Sequence, residues 1–419
     1  MLQKLFHFDK ENPRTPWIFY IFYFVVFCGG AVQGSFLSLY LKEVGVPPAT
    51  ISLLNGILQI ISLLVLPIIG HIADRAKSKN LVMNTGYLLT IVFLFLFTQF
   101  QNVFIICALR ILYGIIATPL NSVYETVAID SAHKKGWDYQ PIRMSGTIGY
   151  SIMAFVSGFI LSGDVKTIFP VMIVCYSATL IIGLMLPTSY NNTAAPDPQK
   201  DIQKNKVSDK GPSVYSLLKN RTIRNVLIMF FIYSLSSSVN NNFFSLYAQE
   251  LGGDLTMVGI AHAILGFSEL PFHLGPGKRW LKRIGVERSM LVVLAVGTFR
   301  WMICALTKSA TVLMWTMILN GIMLVPVIIG LAEFLYSSAP EGLKVSAQTS
   351  LRSSVSVAAM LVSDFGGSAL ISYFTKLGVI PYKYIYMMLS PLCAIGIIIG
   401  WTSIKKGEKE KAAAETAAE

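Results

Sequence analysis

The sequence predicts an all-α polytopic membrane protein, with twelve transmembrane helices arranged as two pseudo-symmetric six-helix bundles. Three observations carry that reading. Of 419 residues, 54% are hydrophobic and only 13% charged; a soluble domain carries about 25% charged residues, so most of this chain cannot face water. Apolar stretches close to the roughly 20 residues that cross a bilayer recur along nearly the whole length. A segment of the first half then returns in the second.

The apolar stretches fall at 17–41, 50–73, 80–99, 103–130, 142–162, 168–187, 223–249, 256–276, 288–306, 310–337, 346–373 and 383–404. The first is too long for the apolar region of a signal peptide and has no small-residue cleavage site after it, so it is expected to remain in the protein. Between the sixth and seventh stretches, the composition shifts to Asn, Asp, Pro, Gln and Lys, as in a solvated linker. The expected organisation is therefore a first bundle over 1–187, a linker over 188–220, a second bundle over 221–404 and a tail over 405–419.

Charge placement gives the orientation. Of the 34 Lys and Arg, 27 lie at the N-terminus, in the tail or at the junctions after even-numbered stretches, where Arg143, Arg224, Arg288 and Arg352 fall within the first two turns of the next stretch. The odd-numbered loops hold Lys42, Lys166, Lys308, Lys376 and Lys383, and Arg110 and Arg300 lie within stretches. By the positive-inside rule both termini are cytoplasmic. The net charge of +12 thus reports topology and calls for no nucleic-acid partner. Cys28, Cys107, Cys175, Cys304 and Cys393 all fall inside stretches without CxxC spacing, which suits small apolar residues and neither a disulfide frame nor a metal site.

The repeat is specific. Val32–Gly45 reads VQGSFLSLYLKEVG and Val239–Gly252 reads VNNNFFSLYAQELG; at a constant offset of 207, seven of fourteen positions are identical. Proteins built from repeated six-helix halves place their sites at the repeat interface, near the bilayer midplane.

The loop after the second stretch, Gly70-His-Ile-Ala-Asp74-Arg75-Ala-Lys-Ser-Lys79, resembles the GxxxDRxGRR signature of the major facilitator superfamily, with its final Gly-Arg-Arg degenerate. The resemblance implies the fold and a gating role for Gly70, Asp74 and Arg75, with the glycine allowing close helix approach and the charges making contacts at the cytoplasmic side. A narrower resemblance is to the lactose-permease-like oligosaccharide and nucleoside:proton symporters. It rests on Glu125 followed eighteen residues later by Arg143-Met-Ser-Gly146-Thr-Ile-Gly149-Tyr150, on Gly266-Phe-Ser-Glu269, and on Arg300 in GTFRW. In that family a Glu and an Arg at the first spacing bind the sugar and an aromatic at the Tyr150 position stacks on it. The family also carries a His and a Glu ahead of a helix-10 proline, both tied to proton coupling. Here Asn320-Gly-Ile-Met-Leu324-Val-Pro326 has neither, so that assignment does not transfer.

An ionisable group deep in a bilayer costs a few kcal/mol on insertion scales, so the intramembrane charges are the site candidates. On the eighth stretch, His262, Gly266, Glu269 and His273 project within about 60° at 100° per residue, a polar stripe on an apolar helix. Glu269 and Arg300 lie at similar depth, and a carboxylate whose Arg contact changes between inward and outward states can bind and release a proton. Glu269, Arg300 and His262 are thus the expected proton-coupling set, with a fixed structural ion pair as the other reading of the first two. On the fourth stretch Arg110, Gly114, Asn121 and Glu125 share a face. Arg pairs bidentately with Glu and bonds vicinal hydroxyls; a salt bridge at the cytoplasmic helix ends is the alternative for Glu125 and Arg143. Asn121 and Tyr150, with Asn240, Asn241 and Asn242 beside Tyr233 and Tyr247, and Gln33 and Tyr40, add neutral hydrogen-bonding groups and aromatic planes that suit a polyhydroxylated solute; hydrogen bonding between helices is the other reading for these neutral groups. Glu333 and Asp364 are further intramembrane carboxylates, candidates for coupling to which the sequence assigns no partner.

With no HExxH, GxSxG or Cys/His cluster in the chain, an enzyme is not expected, nor is a metal or cofactor. The expected driving force is the proton gradient, and the expected partners are a small solute and the lipid bilayer, with the protein as a monomer. The expected activity is symport of a sugar, glycoside or nucleoside by alternating access. Export of amphiphilic compounds on the same fold is the alternative.

Overall fold

The computed structural model describes residues 15–76, 78–187, 214–273, 280, 283–340 and 350–418. In each half six long helices follow one another: α1 Thr15–Glu43, α2 Pro48–Arg75, α3 Lys79–Gln99, α4 Val103–Lys135, α5 Tyr139–Ile160 and α6 Ile168–Met185, then α7 Arg221–Glu250, α8 Leu255–His273, α9 Val286–Leu306, α10 Ala310–Ser338, α11 Arg352–Lys376 and α12 Pro381–Ala418. Among the described residues, eleven helices are long and apolar enough to cross a membrane. The twelfth, α5, is diluted by Arg143 and by its Ser and Gly residues. Within the tail expected at 405–419, α12 continues unbroken to Ala418. Its Ala, Lys and Glu composition favours helix.

Helix ends are set by local chemistry. Asn102 and Asn220 accept hydrogen bonds from the first free N–H groups of α4 and α7, and Asp138 does the same for α5. Gly45 and Gly252, equivalent in the 207-residue repeat, have φ of 99° and 83°, the left-handed conformation that glycine adopts without steric cost. Their repeat neighbours Phe36 and Phe243, and Tyr40 and Tyr247, are all buried.

Small residues bring the helices together, as packing in lipid requires. A Cβ on Gly149 would collide with the Phe24 carbonyl, joining α5 to α1; one on Gly321 would collide with the Ser268 carbonyl, joining α10 to α8. Between the halves, Gly158 of α5 lies against Gly259 of α8, and a Cβ on Gly158 would sit 2.9 Å from the Thr256 carbonyl. Gly70 differs from the expectation of close approach: nothing lies within 4 Å of a Cβ placed there.

Hydrogen bonds then tie the two halves at one end. Lys42 Nζ meets Glu250 Oε1 at 2.7 Å, Ser245 Oγ donates to the Ser35 carbonyl at 2.8 Å, and Thr256 Oγ1 to that of Gly158 at 3.2 Å. Ser368 Oγ donates to the Ala49 carbonyl at 2.8 Å and Ser52 Oγ to that of Asp364 at 2.7 Å. All these residues lie toward the odd-numbered loops, the end poor in Lys and Arg. We call this the closed end.

Two helices are irregular. A π turn spans Pro326–Leu331 in α10, where proline has no N–H to give, and a second spans Val362–Gly366 in α11. π turns concentrate at functional positions, and Asp364 stands inside the second.

Candidate functional site

Between the halves lies a cavity of about 670 Å³ lined from α1, α2, α4, α5, α7, α8, α10 and α11. It runs from Leu41 near the closed end to Ser62, Thr118 and Arg352. Half of its lining residues are amides, hydroxyls or phenols and a third are apolar, with His262 and the charges of Arg110, Arg352, Glu269 and Asp364 among them.

On the α8 wall, Glu269 is 9% exposed. Asn320 of α10 donates from Nδ2 to Glu269 Oε1 at 3.1 Å, and Arg300 Nη1 donates to Asn320 Oδ1 at 3.4 Å. The expected contact of Glu269 with Arg300 is therefore indirect, with an asparagine between. Arg300 is not part of the wall. Its guanidinium is buried, stacks on the Trp301 ring at 4.7 Å and reaches Met317 Sδ at 3.0 Å. One turn of α8 and more toward the closed end, His262 lines the cavity with Nδ1 bonded to the Val258 carbonyl at 3.0 Å and its ring edge-on to Phe244. The His273 side chain lies outside the described residues.

A second polar line crosses the cavity nearer the closed end. Arg110 Nη2 donates to Asn55 Oδ1 at 3.2 Å, and Asn55 Nδ2 donates to Asn242 Oδ1 at 3.4 Å. Asn242 Nδ2 then donates to Asp364 Oδ1. All four residues line the cavity.

The other expected residues divide. Gln33 lines the cavity, its Oε1 accepting from the hydroxyls of Tyr113 at 2.6 Å and Tyr176 at 3.2 Å. Tyr150 and Asn241 also line it. Asn240 turns the other way, into the second bundle, where it accepts from the Tyr386 hydroxyl at 3.1 Å and is buried. Asn121 is exposed and off the cavity wall. Glu125 and Arg143 stand toward the basic-loop end, with 3.9 Å between Nε and Oε1 and side chains 42% and 44% exposed. Arg143 packs over the Phe27 ring at 4.7 Å. Arg75 ends α2 exposed, and the Asp74 side chain lies outside the described residues.

The sequence reading missed Asn55 and Asn320 as site residues, named Asn242 without its partners, and left Asp364 without a partner. Asn55, Gln59 and Ser62 at spacings of four and three form a polar stripe on the apolar α2, which marks a cavity-facing side.

A sequence model described as the MFS_1 like family matches residues 16–387. The maltose permease of Geobacillus stearothermophilus is 24% identical over 305 residues, covering 73% of this chain and 74% of the permease. An uncharacterized transporter of Bacillus subtilis (strain 168), YwbF, is 23% identical over 307 residues, 72% of this chain and 73% of that one. Among solved structures, the nucleoside transporter NupG superposes with a TM-score of 0.75 at 17% identity, covering 93% of this chain and 98% of NupG. A bacterial homolog of the human lysosomal transporter Spinster, in an inward-facing and occupied conformation, gives 0.64 at 11%, covering 93% and 96%. At those identities the structural likeness establishes the fold.

Proposed function

The chain belongs to the MFS_1 like family, as an integral membrane transporter, and from that premise we propose that it is a proton-coupled symporter of a sugar, glycoside or nucleoside working by alternating access. The observation that carries the reading is Glu269, a buried carboxylate on the wall of a polar cavity between two halves whose short contacts, among the described residues, tie them at the closed end. Such a cavity is within the usual range for small-molecule sites, about 300–1,000 Å³. Its amides, hydroxyls and tyrosines match a solute rich in hydroxyl groups. The names of a maltose permease and a nucleoside transporter among the similar proteins support that solute class.

With the basic loops cytoplasmic, both termini face the cytoplasm, the closed end faces outward, and this is an inward-facing arrangement. Glu269 is the proton-coupling carboxylate, held by Asn320, with Arg300 acting through that amide. The Glu125–Arg143 pair, 3.9 Å apart toward the basic-loop end, joins the solute's path when the open end narrows. The test is a thermal-shift screen of sugars and nucleosides against the purified protein, since a ligand of the native state raises its apparent stability by mass action. A stabilising sugar or nucleoside supports the solute class. Stabilisation by amphiphilic compounds alone overturns it.

A further inference from the structure

The line from Arg110 to Asp364 has a fixed polarity. Arginine can only donate and an ionised carboxylate can only accept, so each amide between them has one allowed orientation. Asn55 must turn its oxygen to Arg110 and its NH₂ to Asn242, and Asn242 must turn its NH₂ to Asp364; these are the orientations found. Hydrogen bonds in such a chain polarise one another, so a charge lost at one end weakens every bond along it.

The chain also crosses the molecule. Arg110 on α4 and Asn55 on α2 belong to the first half, and Asn242 on α7 and Asp364 on α11 to the second, so the Asn55–Asn242 bond exists only when the halves meet here. Around it the contact is close. Ser52 donates to the Asp364 carbonyl, and a Cβ on Gly56 would lie 3.1 Å from the Asp364 Cβ. Asp364 itself is 1% exposed. A buried carboxylate that holds only a neutral amide is expensive in a membrane. Among the groups facing it, α2 carries no ionisable residue between Ala49 and Ser62, α7 presents Asn242, and α12 carries Tyr382 and Lys383 at its outer end. The cavity wall also carries Arg110, Arg352 on the same α11, His262, Glu269, Tyr150 and Tyr233.

We propose that Asp364 is a second proton-binding site, whose charge keeps the closed end shut through Asn242, Asn55 and Arg110. The ionised carboxylate completes the chain and holds α2 and α4 to α7 and α11. A proton taken from water on one carboxylate oxygen removes the negative end, the amides lose their enforced orientation, and the closed end parts. This rests on the alternating-access reading, and adds a carboxylate to the one assigned to coupling there.

The experiment is a distance measurement between spin labels at Gln101 and Ser309, exposed residues in closed-end loops of the two halves, on the full chain in lipid nanodiscs with the five native cysteines replaced. In the otherwise unchanged protein the open-to-closed ratio should rise as pH falls, by up to about tenfold per pH unit, the limit for one linked proton. Asp364→Asn should favour the open distance at every pH and flatten the titration. Glu269→Gln, which leaves the Arg110–Asp364 line intact, should still show the part of the titration that Asp364→Asn removes. Arg110→Gln and Asn55→Leu, which leave the carboxylate in place, should raise the open fraction at alkaline pH, and they carry the test if Asp364→Asn fails to fold. An Asp364→Asn titration equal to the parent's overturns the proposal, as does flattening by Glu269→Gln in its place, or no opening in Arg110→Gln and Asn55→Leu. Gly158→Trp, which cannot close against Gly259, separates the two ideas. If it gives the open distance while the parent never titrates, the proposal alone falls. If it too keeps the closed distance, the alternating-access reading falls.

Discussion

Asn320 stands between Glu269 and Arg300, donating to the carboxylate at 3.1 Å and accepting from the guanidinium at 3.4 Å. A neutral amide thus separates the two charged groups, and the Arg300 guanidinium is held instead against the Trp301 ring and Met317 Sδ.

Glu269→Gln keeps the side chain's size and a hydrogen bond to Asn320 but removes the ionisable group. In proteoliposomes it should lose uphill accumulation while still exchanging labelled for unlabelled solute across the membrane. Accumulation at the parent level in that variant would remove Glu269 from coupling.

At the basic-loop end, Glu125→Ala and Arg143→Ala should each weaken solute binding by about tenfold or more, the scale of a lost charge-assisted hydrogen bond of about 1.5–3 kcal/mol. Arg143→Lys should not restore it, because an ammonium cannot offer the planar two-point contact. Isothermal titration with the solute found by thermal shift reads this directly. Unchanged binding in both alanine variants assigns the pair to helix-end structure.

The closed-end ion pair should matter little by itself. Lys42 and Glu250 are 27% and 37% exposed, and pairs in such settings contribute about 0–1 kcal/mol. Lys42→Ala should leave initial uptake within about fivefold of the parent. A total loss would give this pair a role that its exposure does not support.

Two glycines separate close packing from signature. Gly149→Val puts carbon against the Phe24 carbonyl and should lower stability by about 1–3 kcal/mol, the usual range for overpacking, seen as a lower melting temperature in detergent. Gly70→Ala meets open space in this arrangement, so it should melt with the parent. If Gly70→Ala nonetheless slows transport, the effect arises in a conformation where the cytoplasmic loops close.

The helices were legible because lipid imposes a composition that nothing in water requires, and the repeat because Gly45 and Gly252 answer the same left-handed turn. The α8 stripe was legible for a related reason. His262 and Glu269 are costly in an apolar helix unless they face a cavity, and both do. The amides were harder. Asn55, Asn242 and Asn320 carry no charge, cost little in a helix and read singly as packing; their meaning lies in partners on other helices. Asn320 was noticed only as the absence of a His and a Glu. Glu125 and Arg143 show a different gap: spacing along α4 and α5 gives depth, but not which end of the cavity stands open. The turn of Asn240 away from its neighbour Asn241 follows from the ordinary 100° step of a helix, once the cavity's position is known.

The central claim is most directly tested by solute uptake into proteoliposomes holding the purified protein, with an inward pH gradient imposed and a labelled panel of sugars, glycosides and nucleosides outside. The account predicts that one member accumulates above its outside concentration, and that a protonophore collapses the accumulation to simple equilibration. Entry that only equilibrates under the gradient, or accumulation that survives the protonophore, would contradict it.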